Sequence, residues 1–482
     1  MECILDFEPD KVGEIMQNAF AVAEPGGASS EYIYLSNNKP LHVKEDSVSL
    51  IPPMAIDRYS LGILLDSGVL PSPKTPYKNL FVLNAGDSLN ISSSDDSLFF
   101  GESFPFLRSL SAGNTCYLND FESHLIAAAQ KTILSGAPAL LFLSGGKDSA
   151  ALACALSQVK EAKDLHCITY QSETQDESHI AKKIARRLGL SHETVDIKRY
   201  RVDHQRMESY FASQLLPSLD LCSTIYLHCG LDRFASSTLV DGMGNDLFIG
   251  HIPSEKEYRF SEFQKWVPYP VKRTFGRLRR LHQGFVIGSK TRSEMVGMWT
   301  FLSGSGLVDD LAPYHLRRDY WESVDRNYAE HDYFDLRASL RGRYIDQEKF
   351  IRKIKNAAAA YGLKLALPWT ASELANYCHN LKDEELFDRG RLMNKIFLRK
   401  YLTQKLGIDY FAEKKYTFSY NYKKFVIENS DFVRDLVYSA KLFDQKLIRN
   451  YYIGLVKKNN YGAIYQLFLL LGWHQFSRFV MR

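Results

Sequence analysis

A chain of 482 residues exceeds what a single hydrophobic core organises, so two or three domains are expected. Hydrophobic residues make up 45% and charged residues 24%, a composition that supports a large buried core and excludes wholesale disorder. The formal charge of +4 is small for this length and gives no case for a nucleic-acid binder.

Seven cysteines (Cys3, Cys116, Cys154, Cys167, Cys222, Cys229 and Cys378) are scattered, with no Cys-x-x-Cys pair. They read as buried free thiols in a reducing, cytoplasmic setting. No basic-then-apolar leader opens the sequence, and the longest apolar runs, 138–143 and 465–473, fall short of the ~20 residues of a membrane span.

In chain order, residues 1–55 are irregular, with turn clusters at 26–30 and 36–40 around a strand at 32–35. Turn-rich stretches at 71–76 and 92–97 bracket strands within 79–91. From 121 to 134 the periodicity is helical, until Gly136-Ala137-Pro138 breaks it. A short apolar strand at 139–143 leads through Gly145-Gly146 into an alanine-rich helix at 149–156. A strand at 165–170 precedes a helix at 177–188, with Ile180, Ala181, Ile184 and Ala185 on one face and Gly189 as its cap. Strands follow at 192–197 and 237–240, the latter ending at Asp241-Gly242. This alternation predicts an α/β fold with a doubly wound parallel sheet. Beyond Gly250 the pattern is helical, without clear strands. The basic run Lys272, Arg273, Arg277, Arg279 and Arg280 reads as a solvated helix face, or else as a surface for an acidic or carrier-bound substrate. Residues 1–115 are read as a small β-rich N-terminal domain with a connector, and 116–482 as the main domain with a helical C-terminal part.

The chemistry concentrates in Leu143, Ser144, Gly145, Gly146, Asp148 and Ser149, between a strand end and a helix start. Paired glycines let the backbone turn tightly and approach a ligand, and the helix's first N–H groups favour an anion. The two serines add hydroxyl donors. Asp148 suits an anion site only with a cation between it and the phosphates, and magnesium fits. The Walker pattern is absent, so this is not that loop. A second strand-end loop, 240–250, carries Gly242 and Gly244 where a tight turn needs them, and Asp246 as a second magnesium carboxylate.

Ser-Gly-Gly-x-Asp-Ser resembles the pyrophosphate loop of enzymes that split ATP into AMP and pyrophosphate. With the second loop it resembles the asparagine synthetase family, including the β-lactam synthetases and lasso-peptide cyclases. Looser likenesses lie in 56–86 (the family's connector), Asp220, Lys395-Ile396-Phe397-Leu398-Arg399 and 415–419, so coverage runs over about 55–425. The resemblance implies an adenine nucleotide alpha-hydrolase-like fold and a shortened amidotransferase-like N-terminal remnant. It implies that Ser144, Gly145, Gly146, Asp148 and Ser149 cradle pyrophosphate, that Asp148 and Asp246 hold Mg2+, and that Lys415 is the catalytic lysine facing the α-phosphate.

Three departures qualify it. Glu2 stands where amidotransferase members expose a cysteine, and few residues precede the connector, so glutamine hydrolysis is not expected. Met243 replaces the family's Glu or Tyr, and a thioether neither abstracts a proton nor holds an ammonium. Lys364 and Ala366 replace the Glu and Arg of Gly-Val-Glu-x-Arg-x-Pro. The adenylating half reads as intact and the amine-receiving half as rebuilt. With the usual proton acceptor gone, the amine arrives unprotonated, or another base serves (His228 or His251), or the amine lies in the same molecule.

The expected activity is therefore ATP-dependent amide formation through an acyl-adenylate, releasing AMP and pyrophosphate, in a specialised biosynthetic or peptide-modifying pathway. Its substrates are a small-molecule or peptide carboxylate and an amine, with no membrane partner. The rivals are ammonia-dependent asparagine synthesis, a tRNA-modifying enzyme lacking its usual appended elements, and a degenerate nucleotide-binding scaffold. The N-terminal remnant is read as a folding element or a peptide or carrier site, and a homodimer stays open.

Overall fold

The computed structural model describes residues 21–22, 31–36, 39–84, 87–91, 98–102, 113–133, 137–171, 177–279, 281–297, 300–412 and 420–482. Glu2, Cys3, Arg280 and Lys415 lie outside the described residues. The amino-terminal part forms two small antiparallel sheets. Strands β1 (Ala21–Val22), β5 (Asp87–Ile91) and β6 (Leu98–Glu102) make one, and β3 (Lys39–Val43), β2 (Glu31–Ser36) and β4 (Leu80–Leu83) the other. The strands expected at 32–35 and within 79–91 are thus present.

The centre is a five-stranded, wholly parallel sheet of order β11-β10-β7-β8-β9. Its strands are β7 (Ala139–Phe142), β8 (Leu165–Gln171), β9 (Ser191–Asp196), β10 (Thr238–Val240) and β11 (Lys364–Ala366). The chain runs outward from β7 through β8 to β9, then returns to the other side of β7 for β10. The direction of winding therefore reverses between β7 and β10, where open parallel sheets form a crevice at the strands' carboxyl ends.

Both faces of β7 are covered, which is why it reads as an unbroken apolar run. The following helix, Lys147–Val159, buries Ala150, Ala151, Ala153 and Ala155, and their small side chains let it lie close to the sheet and to helix Leu118–Thr132. Phe121, fully buried, contacts the rings of Trp369, Phe397 and Tyr401 at centroid distances of 6.1, 5.0 and 5.2 Å, joining that face to the C-terminal helices. Gly189 ends helix Ser178–Leu188 at φ 67°, as its spacing predicted.

Two expectations are corrected. The region beyond Gly250 is not free of strands: β11 adds the fifth strand, and Phe387–Asp388 (β12) pairs with Met393–Asn394 (β13). At two or three residues each, these strands are too short to display alternation. The basic run is a solvated face only in part. Lys272 is buried and Arg279 pairs with Asp309, whereas Arg277 is exposed and Arg273 pairs with Glu322 and Asp319 while 42% of its side chain stays exposed. Among the described residues no helix is long and apolar enough to cross a membrane; Tyr461–Phe476, apolar on nearly all sides, is a buried core helix.

Helix Arg58–Ser67 is tied to the helical region by a buried ion network. Asp66 accepts from Arg317 Nε at 3.1 Å and Gly304 N at 3.0 Å, while Glu294 takes Lys290 at 2.6 Å and Arg318 at 2.5 Å. Burial would raise both carboxyls, but the adjoining cations outweigh it and hold them below the usual carboxylate range. Asp66→Ala strands Arg317 and Lys290 in the interior and is expected to destabilise the fold by about 3–5 kcal/mol in chemical denaturation. Because the folded values are depressed, the network's contribution is complete above ~pH 4 and is lost as pH falls through them, so acid unfolding of the wild type should be steeper than that of Asp66→Asn.

Candidate active site

The loop leaving β7 is shaped by its own serines. Ser149 Oγ accepts from Ser144 N at 3.0 Å and lies 3.0 Å from Ser144 Oγ, which accepts from Gly146 N at 3.0 Å. Leu143 is buried, with its N–H on Ile168 O and its carbonyl receiving Thr169 Oγ1. Gly146 caps helix Lys147–Val159 without a side-chain acceptor, so the first-turn N–H groups face outward from the sheet end. Gly145 N donates to Glu177 Oε2 at 3.1 Å, so a carboxylate of the protein itself sits where the loop addresses an anion.

The loop leaving β10 lies against it. A Cβ on Gly242 would come 3.0 Å from Ser149 N and 3.3 Å from the Asp148 carbonyl carbon, so the two loops approach backbone to backbone. Gly244 has φ 99°, and a Cβ there would meet Thr370 Cγ2 at 2.4 Å. The glycines thus permit the contact that brings Asp148 and Asp246 together.

Between the two acids stands Lys395. Its Nζ lies 2.8 and 2.9 Å from the Asp148 oxygens, 2.7 Å from Asp246 Oδ1 and 3.1 Å from Asn245 Oδ1. Burial disfavours its charge, but Asp148 and Asp246 outweigh it and raise its pKa. The donor set fits magnesium: two hard carboxylates converge on one cation position, leaving other coordination sites to phosphate oxygens and water. No group of three or more His, Cys, Asp or Glu residues able to hold a metal occurs among the described residues. Asn245 and Lys395 had no signal as site residues; the Lys-x-x-Leu-Arg likeness marks a helix start and not a partner for two aspartates.

A second layer packs on helix Asp246–Ile249. It is a ten-residue π-helical stretch, Gly342–Ile351, a rare form that concentrates at functional sites. From it Asp346 is buried, with Oδ2 lacking a hydrogen-bond partner among the described residues. Burial, then the charge of Asp246, pushes its pKa up to about 7. Asp241, at the end of β10, is pushed up to about 6 by burial although it accepts from Met243 N at 2.9 Å.

Several expected residues lie elsewhere or serve structure. Asp220 pairs with Lys353 at 3.0 Å and accepts from Cys222 N, an internal ion pair. Met243 is half-buried, Lys364 is exposed on β11, and Ala366 contributes only its carbonyl, to Asp241 N. His228 Nε2 lies 2.8 Å from Tyr420 Oη in an aromatic cluster with Tyr200 and Phe425. His251 follows Gly250 and is half-buried.

A phosphate-type loop and an acid-bearing loop meeting at the switch point of a parallel sheet define a nucleotide-binding α/β protein of the adenine nucleotide alpha-hydrolase-like class. More particularly, the chain belongs to the asparagine synthase family, whose model matches residues 120–475. Membership supports ATP use and amide-forming ligation in general terms. None of the curated proteins matches the chain. Among solved structures, the NH3-dependent NAD synthetase from Campylobacter jejuni is similar at 14% identity, 51% of this chain, 96% of that chain and a TM-score of 0.22. The NMN synthetase from Francisella tularensis is similar at 14%, 45%, 97% and 0.21, and the U34-tRNA thiolase from Methanococcus maripaludis at 14%, 45%, 78% and 0.21. Likenesses this weak bear no functional argument.

Gly242→Ala should separate the loops, destabilise the fold by about 1–3 kcal/mol and weaken ATP binding in calorimetric titration. Burial lowers the pKa of His228 to about 4 from its ordinary 6.5. Between those values the unfolded chain binds a proton that the folded chain does not, so stability falls as pH drops through this window, and His228→Gln should flatten that slope in pH-dependent denaturation.

Proposed function

We propose that the protein is an ATP-dependent, AMP-forming carbon–nitrogen ligase. A substrate carboxylate oxygen attacks the α-phosphorus of ATP and pyrophosphate leaves. An amine nitrogen then attacks the acyl carbon of the adenylate, losing its proton as AMP departs with the carboxyl oxygen. The observation that carries the reading is the convergence of Asp148 and Asp246, from loops on adjacent parallel strands, onto one buried cation position beside a glycine-lined anion loop.

Each residue has a defined part. The start of helix Lys147–Val159, with the backbone of Gly145 and Gly146, would face the β- and γ-phosphates once Gly145 N leaves Glu177, while the bond from Gly146 N to Ser144 Oγ and the hydroxyl of Ser149 hold the loop in shape. Asp148 and Asp246 would hold Mg2+, which would supply charge neutralisation for the departing pyrophosphate. Lys415 is proposed for the α-phosphate and the developing oxyanion on the family resemblance. Met243 offers no base, so the amine side depends on proximity and on a nucleophile that arrives able to attack. A specialised biosynthetic substrate is favoured over aspartate by Met243 and by Lys364, which stands exposed on β11.

Exchange of labelled pyrophosphate into ATP, tested across a panel of carboxylic acids, should require one of those acids. Asp148→Ala should lower it by at least about 100-fold. Exchange that survives this substitution would overturn the site, and release of glutamate from glutamine in turnover assays would overturn the expected nitrogen source.

A further inference from the structure

The cation between the two carboxylates belongs to the protein. Lys395 is 4% exposed at its side chain, and its ammonium hydrogen-bonds Asp148 and Asn245 while forming an ion pair with Asp246 at 2.7 Å. Its backbone is held in the left-handed region, φ 60° and ψ 45°, which a lysine does not favour. Three contacts fix it there: its N–H donates to Leu386 O at 2.6 Å, its carbonyl receives Arg399 N at 3.0 Å, and Arg399 Nε donates to Asn394 O at 2.9 Å, beside the β12–β13 hairpin. Such strain persists where the surroundings over-determine it, and it concentrates at working sites. The anion side repeats the pattern, with the Glu177 carboxylate on Gly145 N. The site therefore carries an internal ammonium between its two carboxylates and an internal carboxylate on the N–H of its glycine loop.

We infer that Lys395 is a built-in counter-ion that closes the Asp148–Asp246 pair to free divalent metal, so that the metal enters only together with a nucleotide's phosphates. The inference rests on the ATP-binding reading above. A free Mg2+ would have to displace an ammonium already seated between both carboxylates, and would meet a like charge at short range in a buried setting. A phosphate chain changes both terms: it offers the Lys395 ammonium new oxygen partners and gives the metal ligands beyond the two aspartates. The carboxylates are released and the metal is seated in one exchange. Lys395 is thus a positioning residue that orders binding.

The test uses Mn2+ as the metal, read by electron paramagnetic resonance on the full chain, alone and with the non-cleavable ATP analogue α,β-methylene-ATP. The wild type alone should bind Mn2+ no more tightly than Asp148→Asn, and should take up one Mn2+ per chain when the analogue is present. Lys395→Met without nucleotide should bind Mn2+ at least about tenfold more tightly than the wild type, and should lose that gain when combined with Asp148→Asn. Wild-type binding of one Mn2+ as tightly without the analogue as with it, or no gain in Lys395→Met, overturns the inference. If Lys395→Met does not fold, the two wild-type titrations decide. An analogue that fails to bind at all counts against the ATP reading, whereas tight Mn2+ binding by the free wild-type chain counts against the counter-ion role alone.

Discussion

The Lys395 ammonium stands 2.8 Å from Asp148 and 2.7 Å from Asp246, and its charge offsets the repulsion between the two carboxylates. The three charges come from distant parts of the sequence: the start of the helix after β7, the loop after β10, and the residue before helix Ile396–Leu406. Removing one partner of a buried group of this kind typically costs about 3–5 kcal/mol, because the remaining charge is stranded. The contact therefore fixes how the C-terminal helices seat on the carboxyl ends of the sheet, and it fixes the geometry of the site in the same stroke. Trp369 adds to this seating, donating from Nε1 to Asp148 O at 3.3 Å while its ring stacks against Phe121.

Around that centre, charge is buried in matched sets. Asp66 and Glu294 with Lys290, Arg317 and Arg318 join helix Arg58–Ser67 to the helical region, and Asp220 with Lys353 joins the loop before β10 to helix Arg352–Ala360. In each set cations and carboxylates lie in direct contact, which accounts for these charged residues deep in the interior without invoking a ligand. Asp346 differs, since Oδ2 has no hydrogen-bond partner among the described residues and its pKa is raised to about 7 by burial and by Asp246.

The two halves of the proposed reaction have different support. The adenylating half keeps both loops, both acids and the glycines through which the loops touch. On the amine side, Met243 shows only its backbone N–H to Asp241, and Lys364 points its charge to solvent from β11. Ala366 offers a carbonyl to Asp241 N in place of a side chain. Under the proposed reaction, a chain altered in this way keeps the groups assigned to carboxylate activation while accepting a different nucleophile, since that assignment rests on none of those three positions.

Much of the α/β half was legible in the sequence, because its signals are local. The apolar run 139–143, the alanine-rich helix after it, the periodicity ending at Gly189 and the glycine pairs in both loops all report short-range geometry, and their order implies the doubly wound sheet. The short strand β11 was not legible, since three residues show no alternation and its place is set by pairing with β10 across more than a hundred residues. The inward turn of Lys272 and Arg279 was likewise hidden, because a basic helix face looks alike whether it meets water or Asp309. At the site, sequence by itself picked out the two acids and the glycine-rich loop that the fold brings together, whose residue types carry their chemistry with them. Tertiary structure alone decided that a lysine from a distant helix start stands between those acids, since an ion pair is fixed by proximity in space and leaves no periodic trace along the chain.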